Sequence, residues 1–331
     1  MKRFIIPILL IISLTIGGFF WWKQNGKPVS TDDTLQSFLI PKGYSASQIG
    51  NKLANQELVK SSLAFKFYVQ VTAQSKKIQA GEYLLAPNFS LFKIVDQLTS
   101  GPAEQWVTIP EGLRQEEVVE KYIVVLKNDK AEAEVFRQDF LAITAGKEGF
   151  LFPDTYLFPK TISASIVANK MLSTFDSKIS SQMKADIGVS QYSLEETITL
   201  ASIIERETRE DEERSVVAGI LLNRLEVGMG LQTDATVQYA LASSECRVGK
   251  ACNWWPTLTR DDMSINSSYN TYKYAGIPPA PIANPSLSSI LAVIYPTDSS
   301  YLYYLHDGDG TIHYAETLDG HNANIRKYLG K

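Results

Sequence analysis

The chain has 331 residues, enough for about two domains, and its 44% hydrophobic content is ordinary for a protein that buries a core. A net charge of −4, with no Lys/Arg block after residue 30, argues against nucleic acid as a partner, because neutralising phosphates takes clustered cations. Two cysteines and the distant His306, His313 and His321 match no zinc spacing, so no metal site is expected.

Lys2 and Arg3 precede an uncharged run of 19 residues, Phe4 to Trp22. At about 1.5 Å per residue it nearly spans a hydrocarbon core of about 30 Å. The run ends in Phe19, Phe20, Trp21 and Trp22, an aromatic belt rather than the small residues of a cleavage site. The expectation is therefore an uncleaved single-pass anchor over 4–22, a cytoplasmic tail over 1–3, and everything further on outside the cytoplasmic membrane. Residues 23–36, with Gly26, Pro28, Ser30 and Thr31, read as a linker.

A short pattern then occurs twice. Ile40-Pro41-Lys42-Gly43 leads into a helical start at Ile49 and Leu53, and Ile109-Pro110-Glu111-Gly112 leads into Val118 and Tyr122. A strand, a Pro-Gly turn and an amphipathic helix make a small α+β unit, so the chain reads as repeated modules. Between the copies, Gly81–Leu85 is strand-like and Ser90 caps a helix over 91–98. Residues 149–160 (GFLFPDTYLFPK) read as an aromatic, Pro-containing loop. A helical region follows from Ser163 to Ala242, broken at Gly188 and between Gly228 and Thr233. Cys246 and Cys252 lie close enough to close a small loop as a disulfide in an oxidising compartment, with free thiols as the alternative. Near the C-terminus, residues 301–304 and 311–315 flank Asp307-Gly308-Asp309-Gly310 as a β-hairpin.

The segment SLEETITLASIIERET, Ser193 to Thr208, carries the most chemical information. Ser193 with Glu196 three residues on is a capping box. At about 100° per residue, Leu194, Thr197, Ile198, Ala201 and Ile204 form one stripe with Glu205 in its middle, whereas Glu195, Glu196 and Glu207 point away. A glutamate on an apolar face either holds its proton, as a general acid must, or pairs with a cation such as Arg206, Arg209 or Arg224. Downstream, Gln232, Thr233, Asp234, Asn270, Tyr272 and Asn284 place amides, hydroxyls and a carboxylate on loops near Trp254, Trp255 and Tyr269. Rings that stack and amides that meet hydroxyls suit a sugar. Asp234 is equally readable as a helix N-cap.

The strings ASIIERET (201–208), ILLNRLEVGMGLQTDATVQYAL (220–241), EGFLFPDTY (148–156), YNTY (269–272) and GIPPAPIANP (276–285) resemble the signatures of the MltG-type, YceG-like endolytic murein transglycosylases. The resemblance covers nearly the whole chain. It implies an α+β protein with an N-terminal membrane anchor, a LysM-like α+β region over 37–147 and a mixed α+β catalytic domain with a helical centre over 148–331. The implied activity is cleavage of the β-1,4 bond between N-acetylmuramic acid and N-acetylglucosamine inside peptidoglycan strands, leaving 1,6-anhydromuramoyl ends and ending strand elongation. The first glutamate of the family motif maps onto Glu205 as acid and base. Gln232, Thr233, Asp234, Asn270, Tyr272 and Asn284 are the expected substrate contacts on their side-chain chemistry and their loop or helix-cap positions. No cofactor is implied. Partners would be glycan strands and the penicillin-binding synthases, with the catalytic domain on the periplasmic side of the inner membrane. The segment from Ser243 to Pro256, with both cysteines, is longer than the family connection. Two other readings use the same residues: a muramidase with Asp234 or Glu207 as second carboxylate, and a non-catalytic peptidoglycan-binding scaffold in which Glu205 is structural.

Overall fold

The computed structural model describes residues 15, 17–102, 104–127, 129–159 and 162–330. The chain is mixed α+β and divides into two compact units: one runs to Val107 and also takes Leu157–Thr161, and the other holds Thr108–Tyr156 and everything from Ile162.

In the N-terminal unit, β1 (Gln36–Ile40) is followed by α1 (Ala46–Asn55), α2 (Ser62–Val71), β2 (Gly81–Leu85), α3 (Leu91–Ser100) and β3 (Glu104–Thr108). Alternation puts Phe38 and Ile40 inward on β1 and Tyr83 and Leu85 inward on β2, and the strands pair antiparallel with Phe38 opposite Tyr83. Serines start each helix: Ser45, Ser61 and Ser90 accept from the N–H groups of Gln48, Ala64 and Lys93. Ile49, Leu53, Phe65, Val69, Ile94 and Leu98 then fill the space over the sheet. Gly81 is required where β3 meets β2, since a Cβ there would lie 2.3 Å from the Glu104 carbonyl oxygen and its φ is +145°.

The sheet order is β1-β2-β3-β4, with β4 at Thr155–Pro159, inside the segment read as a loop. Strand, turn, two helices, strand thus occurs twice: β1-α1-α2-β2, and β3-α4-α5-β4 with α4 at Gln115–Leu126 and α5 at Lys130–Ile143. Gly43 (φ +84°) and Gly112 (φ +72°) hold the same left-handed turn in the two copies. The division falls after Val107 rather than at residue 147, because the second copy's helices belong to another core. Val119, Tyr122, Phe136 and Phe140 of α4 and α5 are buried, and α5 packs on α6 (Ala164–Lys178) of the second unit.

Residues 23–36 are held to the N-terminal unit by backbone bonds. Val29 and Ser30 donate to the Pro87 carbonyl, and Leu91 donates to that of Gly26. Most of the expected anchor, 4–22, lies outside the described residues. Residues 17–25 are helical, and among the described residues no helix is long and apolar enough to cross a membrane.

The second unit is helical at its centre. It continues with α7 (Ser181–Val189), α8 (Leu194–Glu207), α9 (Asp211–Glu226), α10 (Asp234–Glu245) and α11 (Leu287–Ile294). A hairpin of β5 (Tyr303–His306) and β6 (Ile312–Ala315) then leads to α12 (Leu318–Asn324). Helix α8 is the axis of this unit, packed by α7, α9, α10 and α11.

Candidate active site

The direction of each glutamate follows from the position of α8. Every residue from Thr197 to Ile204 is buried, so the helix has no solvent face along this stretch and its apolar stripe does not mark the side that looks into the core. Its polar members satisfy themselves: the Thr197 and Thr199 hydroxyls donate to the carbonyls of Ser193 and Glu195, and Ser202 donates to Thr199. The capping box of Ser193 and Glu196 starts the helix as its sequence dictates.

Glu205, at the end of α8, is enclosed by donors. Its Oε2 accepts from the Ser286 N–H (2.9 Å), the Ser286 hydroxyl (2.5 Å) and the Ser289 hydroxyl (2.7 Å), and Oε1 faces the Arg214 guanidinium at 3.3 Å. Ser286 is the N-cap of α11 and Arg214 belongs to α9, so this carboxylate joins three helices. Arg206, Arg209 and Arg224, the expected cationic partners, are not the ones that hold it; Arg214 is.

Glu207, two residues on and expected to point away, lines a cavity of about 380 Å³ together with Arg224, Gln232, Asp234, Tyr272, Tyr303, Tyr304, Leu318 and His321. The Tyr304 hydroxyl donates to Oε2 at 2.8 Å. Burial raises the Glu207 carboxyl, opposed by the Tyr304 hydrogen bond and reinforced by the negative charge of Asp234, while the Ala235 N–H and Arg224 pull the other way. Arg224 is buried behind it, donating from Nε to the Leu302 carbonyl (2.7 Å) and from Nη1 to that of Leu231. Burial also lowers His321, whose ring stacks on Tyr303 at 5.3 Å.

The predicted binding residues divide in two. Gln232, Asp234 and Tyr272 line the cavity, with the Tyr272 hydroxyl donating to Asp234 Oδ1 at 2.7 Å. Gln232 holds a φ of +51°, uncommon for a side-chain-bearing residue and typical of a site where geometry outweighs local comfort. Thr233, Asn270 and Asn284 do not reach the cavity, since each is fully used by the scaffold. Thr233 is the N-cap of α10 but makes no side-chain cap; its hydroxyl meets Thr271 instead. Asn270 donates to the Met263 and Ile265 carbonyls and accepts from the Tyr272 N–H. Asn284 donates to the Leu113 carbonyl and to Glu148 and accepts from the Leu151 N–H. Glu207 entered the sequence reading only as a second carboxylate of a muramidase and Arg224 only as a partner for Glu205, and Tyr303, Tyr304, Leu318 and His321 are the cavity residues it did not assign. Nothing local marks them, because the tyrosines and His321 come from a hairpin and helix about a hundred residues away in sequence.

The long segment after α10 also has a place. Cys246 and Cys252 are bonded to each other, with Cα atoms 5.7 Å apart. Trp254 and Trp255 follow just after the loop that this bond closes: Arg114 lies 4.6 Å from the Trp254 ring and 4.1 Å from that of Tyr239, and Arg206 lies 3.8 Å from that of Trp255. A loop this short constrains the unfolded chain little, so Cys246→Ser is expected to cost about 2 kcal/mol in chemical denaturation. Intact mass after alkylation without reductant should show no free thiol in the wild type. Among the described residues no group of three or more His, Cys, Asp or Glu is placed to hold a metal.

Glu148 is buried beneath the start of α4, accepting from the Gln115 N–H at 3.1 Å and from Asn284 at 2.8 Å. Burial, with Glu116 nearby, pushes its carboxyl from 4.5 up to about 8. The folded chain therefore binds this proton more tightly than the unfolded chain does. The stability it contributes is complete below the unfolded value and is lost as pH rises through about 8. The urea midpoint of the wild type is expected to fall between about pH 5 and pH 8 relative to that of Glu148→Gln. A difference that stays constant over this window would show that Glu148 does not titrate there.

Comparison with known proteins places this geometry. The YceG-like family model matches residues 38–327. The chain belongs to the YceG-like family. Within it, the chain is 32% identical to the endolytic murein transglycosylase of Bacillus subtilis over 96% of its own length and 91% of that protein's. It is 27% identical to the enzyme of the same name from Streptococcus pneumoniae D39, over 99% of this chain but 65% of that longer protein. A crystal structure of a YceG-like protein from Listeria monocytogenes superposes with a TM-score of 0.60 at 30% identity, covering 87% of this chain and 98% of that one. The match runs through both units of this YceG-like chain.

Proposed function

We propose that this YceG-like protein is an endolytic murein transglycosylase, and that Glu207 rather than Glu205 is its acid and base. The observation that carries the assignment is the Glu207 carboxyl at the cavity wall, hydrogen-bonded by Tyr304 and raised by burial, whereas Asp234 in the same cavity is tied to the Tyr272 hydroxyl. A carboxyl raised in this way holds its proton more firmly than a free glutamate and can give it to the glycosidic oxygen as the bond from C1 of the muramoyl residue breaks. The resulting carboxylate then takes the proton of that residue's C6 hydroxyl while O6 bonds to C1, closing the 1,6-anhydro ring. No water is consumed and the proton returns to Glu207. Arg224 and the Ala235 N–H, both beside the carboxyl, stabilise the charge it carries between the two steps. The reaction needs no cofactor, and the position of Gln232 and Tyr272 on the cavity wall supports their binding the sugar.

Asp234, in the same cavity, supports the muramidase as a second reading, because hydrolysis with inversion or retention normally uses a second carboxylate. Mass spectrometry of digested peptidoglycan separates the two readings. Anhydro-ended fragments are expected throughout, and products heavier by one water would establish hydrolysis. The Phe4–Trp22 run supports single-pass anchoring in the cytoplasmic membrane with the cavity on the outer side, next to the synthases that make the strands. The two-helix, two-strand copy from β1 to β2 supports the LysM-like reading of the N-terminal region.

A further inference from the structure

Helix α2 is apolar on both sides. Ala64, Phe65 and Val69 face the core, while Leu63, Phe67 and Val71, at four-residue spacing on the opposite side, are 70%, 55% and 69% exposed. Three large side chains in one exposed row form a patch that solvent alone does not explain. The row is continuous with the end of the N-terminal hydrophobic run. Trp22 packs its ring 5.8 Å from Phe67, 5.8 Å from Tyr68 and 5.9 Å from Phe92, and Phe19, Phe20 and Trp21 are exposed just before it. The junction is fixed: Gly26 donates to the Trp22 carbonyl, Leu91 donates to that of Gly26, and a Cβ on Gly26 would meet the Phe92 ring at 3.0 Å. Lys23, Lys27 and Lys93 are exposed around it.

We propose that this face of the N-terminal unit, the α2 row with Trp22 and Phe92, lies in the headgroup layer of the bilayer from which the chain emerges. The inference rests on the anchor reading of Phe4–Trp22. If that run enters the membrane, Trp22 marks the point of exit, and an interface about 5–10 Å deep then reaches side chains in contact with Trp22. The composition agrees, since Trp, Phe and Tyr concentrate at that level and lysines meet anionic headgroups. The unit would then be a rigid foot on the membrane rather than a bead on a tether.

The test uses the full chain in vesicles of phosphatidylcholine and phosphatidylglycerol. Because Cys246 and Cys252 are paired, Leu63→Cys or Val71→Cys supplies the single reactive thiol for an environment-sensitive fluorophore. Lipids carrying a nitroxide near the headgroup are expected to quench both labels about twofold or more, and iodide in the water should reach them poorly. Labels open to iodide and untouched by the nitroxide would overturn the proposal. So would labels shielded from iodide without nitroxide quenching, which would mean that a protein surface, such as a second copy, covers the row. An alkaline carbonate wash tells the two failures apart. Chain released from the vesicles refutes the anchor and this inference with it, whereas chain retained with exposed labels refutes the inference alone.

Discussion

Glu207→Gln is expected to lower peptidoglycan cleavage by about 10²- to 10⁴-fold while leaving the fold intact, because an amide cannot deliver the proton but fills the same buried space. Its Tyr304 partner can still donate to the amide oxygen. Glu205→Gln should behave in the opposite way. It removes the charge that faces Arg214, whose side chain is only 11% exposed, and weakens the bonds from Ser286 and Ser289 at the start of α11. Arg214 keeps its ion pair with the exposed Asp211, so losing the buried anion costs about 1.5–3 kcal/mol and should show first in thermal unfolding. Activity of the molecules that remain folded should fall far less than in Glu207→Gln. If Glu207→Gln kept more than about a third of wild-type activity while Glu205→Gln lost it without unfolding, the acid would be Glu205 and the cavity assignment would be wrong.

Asn284→Ala is expected to destabilise the protein by about 2–3 kcal/mol and to leave substrate binding unchanged. Its amide occupies a fully buried node: the Leu151 N–H, the Leu113 carbonyl and the Glu148 carboxyl all lose a partner when it is removed. The Leu113 carbonyl keeps the Asn284 N–H and Glu148 keeps the Gln115 N–H, so the chain path is held while the buried Leu151 N–H is left unpaired and two acceptors are weakened. Urea unfolding and KM, measured below the lowered midpoint, check both halves. A loss under about 1 kcal/mol together with a raised KM would return Asn284 to the substrate-binding set.

These two residues show where the sequence was readable. Elements with local signals appeared where the signals put them: the Ser193 and Glu196 capping box opens α8, Ser90 opens α3, Gly81–Leu85 is a strand, and Asp307–Gly310 turns the C-terminal hairpin. Side-chain direction on α8 did not follow, because a periodicity argument assumes one buried face and this helix is covered on all sides from Thr197 to Ile204. Asn270 and Asn284 look like ligand groups in sequence because an amide beside a Pro or Gly turn serves equally well to bind a sugar or to satisfy a buried backbone; only the bonds decide. Strand β4 was hidden by Pro153, just before it, and Pro159, its last residue, although the residues between them alternate as an ordinary strand does.

The sheet has a consequence for how the protein can be divided. Strand β3 leaves the N-terminal unit at Val107, and β4 returns to it at Leu157 after a passage through the second unit. The chain therefore crosses between the two units more than once, and no single cut separates them. A protease that nicked the polypeptide near residue 108 would strip β4 of its covalent link to β3 without freeing either piece, and a gene truncated there would encode a second unit that still carries its neighbour's edge strand. Exchanging the front half of this protein with that of a relative would therefore require transplanting 157–161 as well.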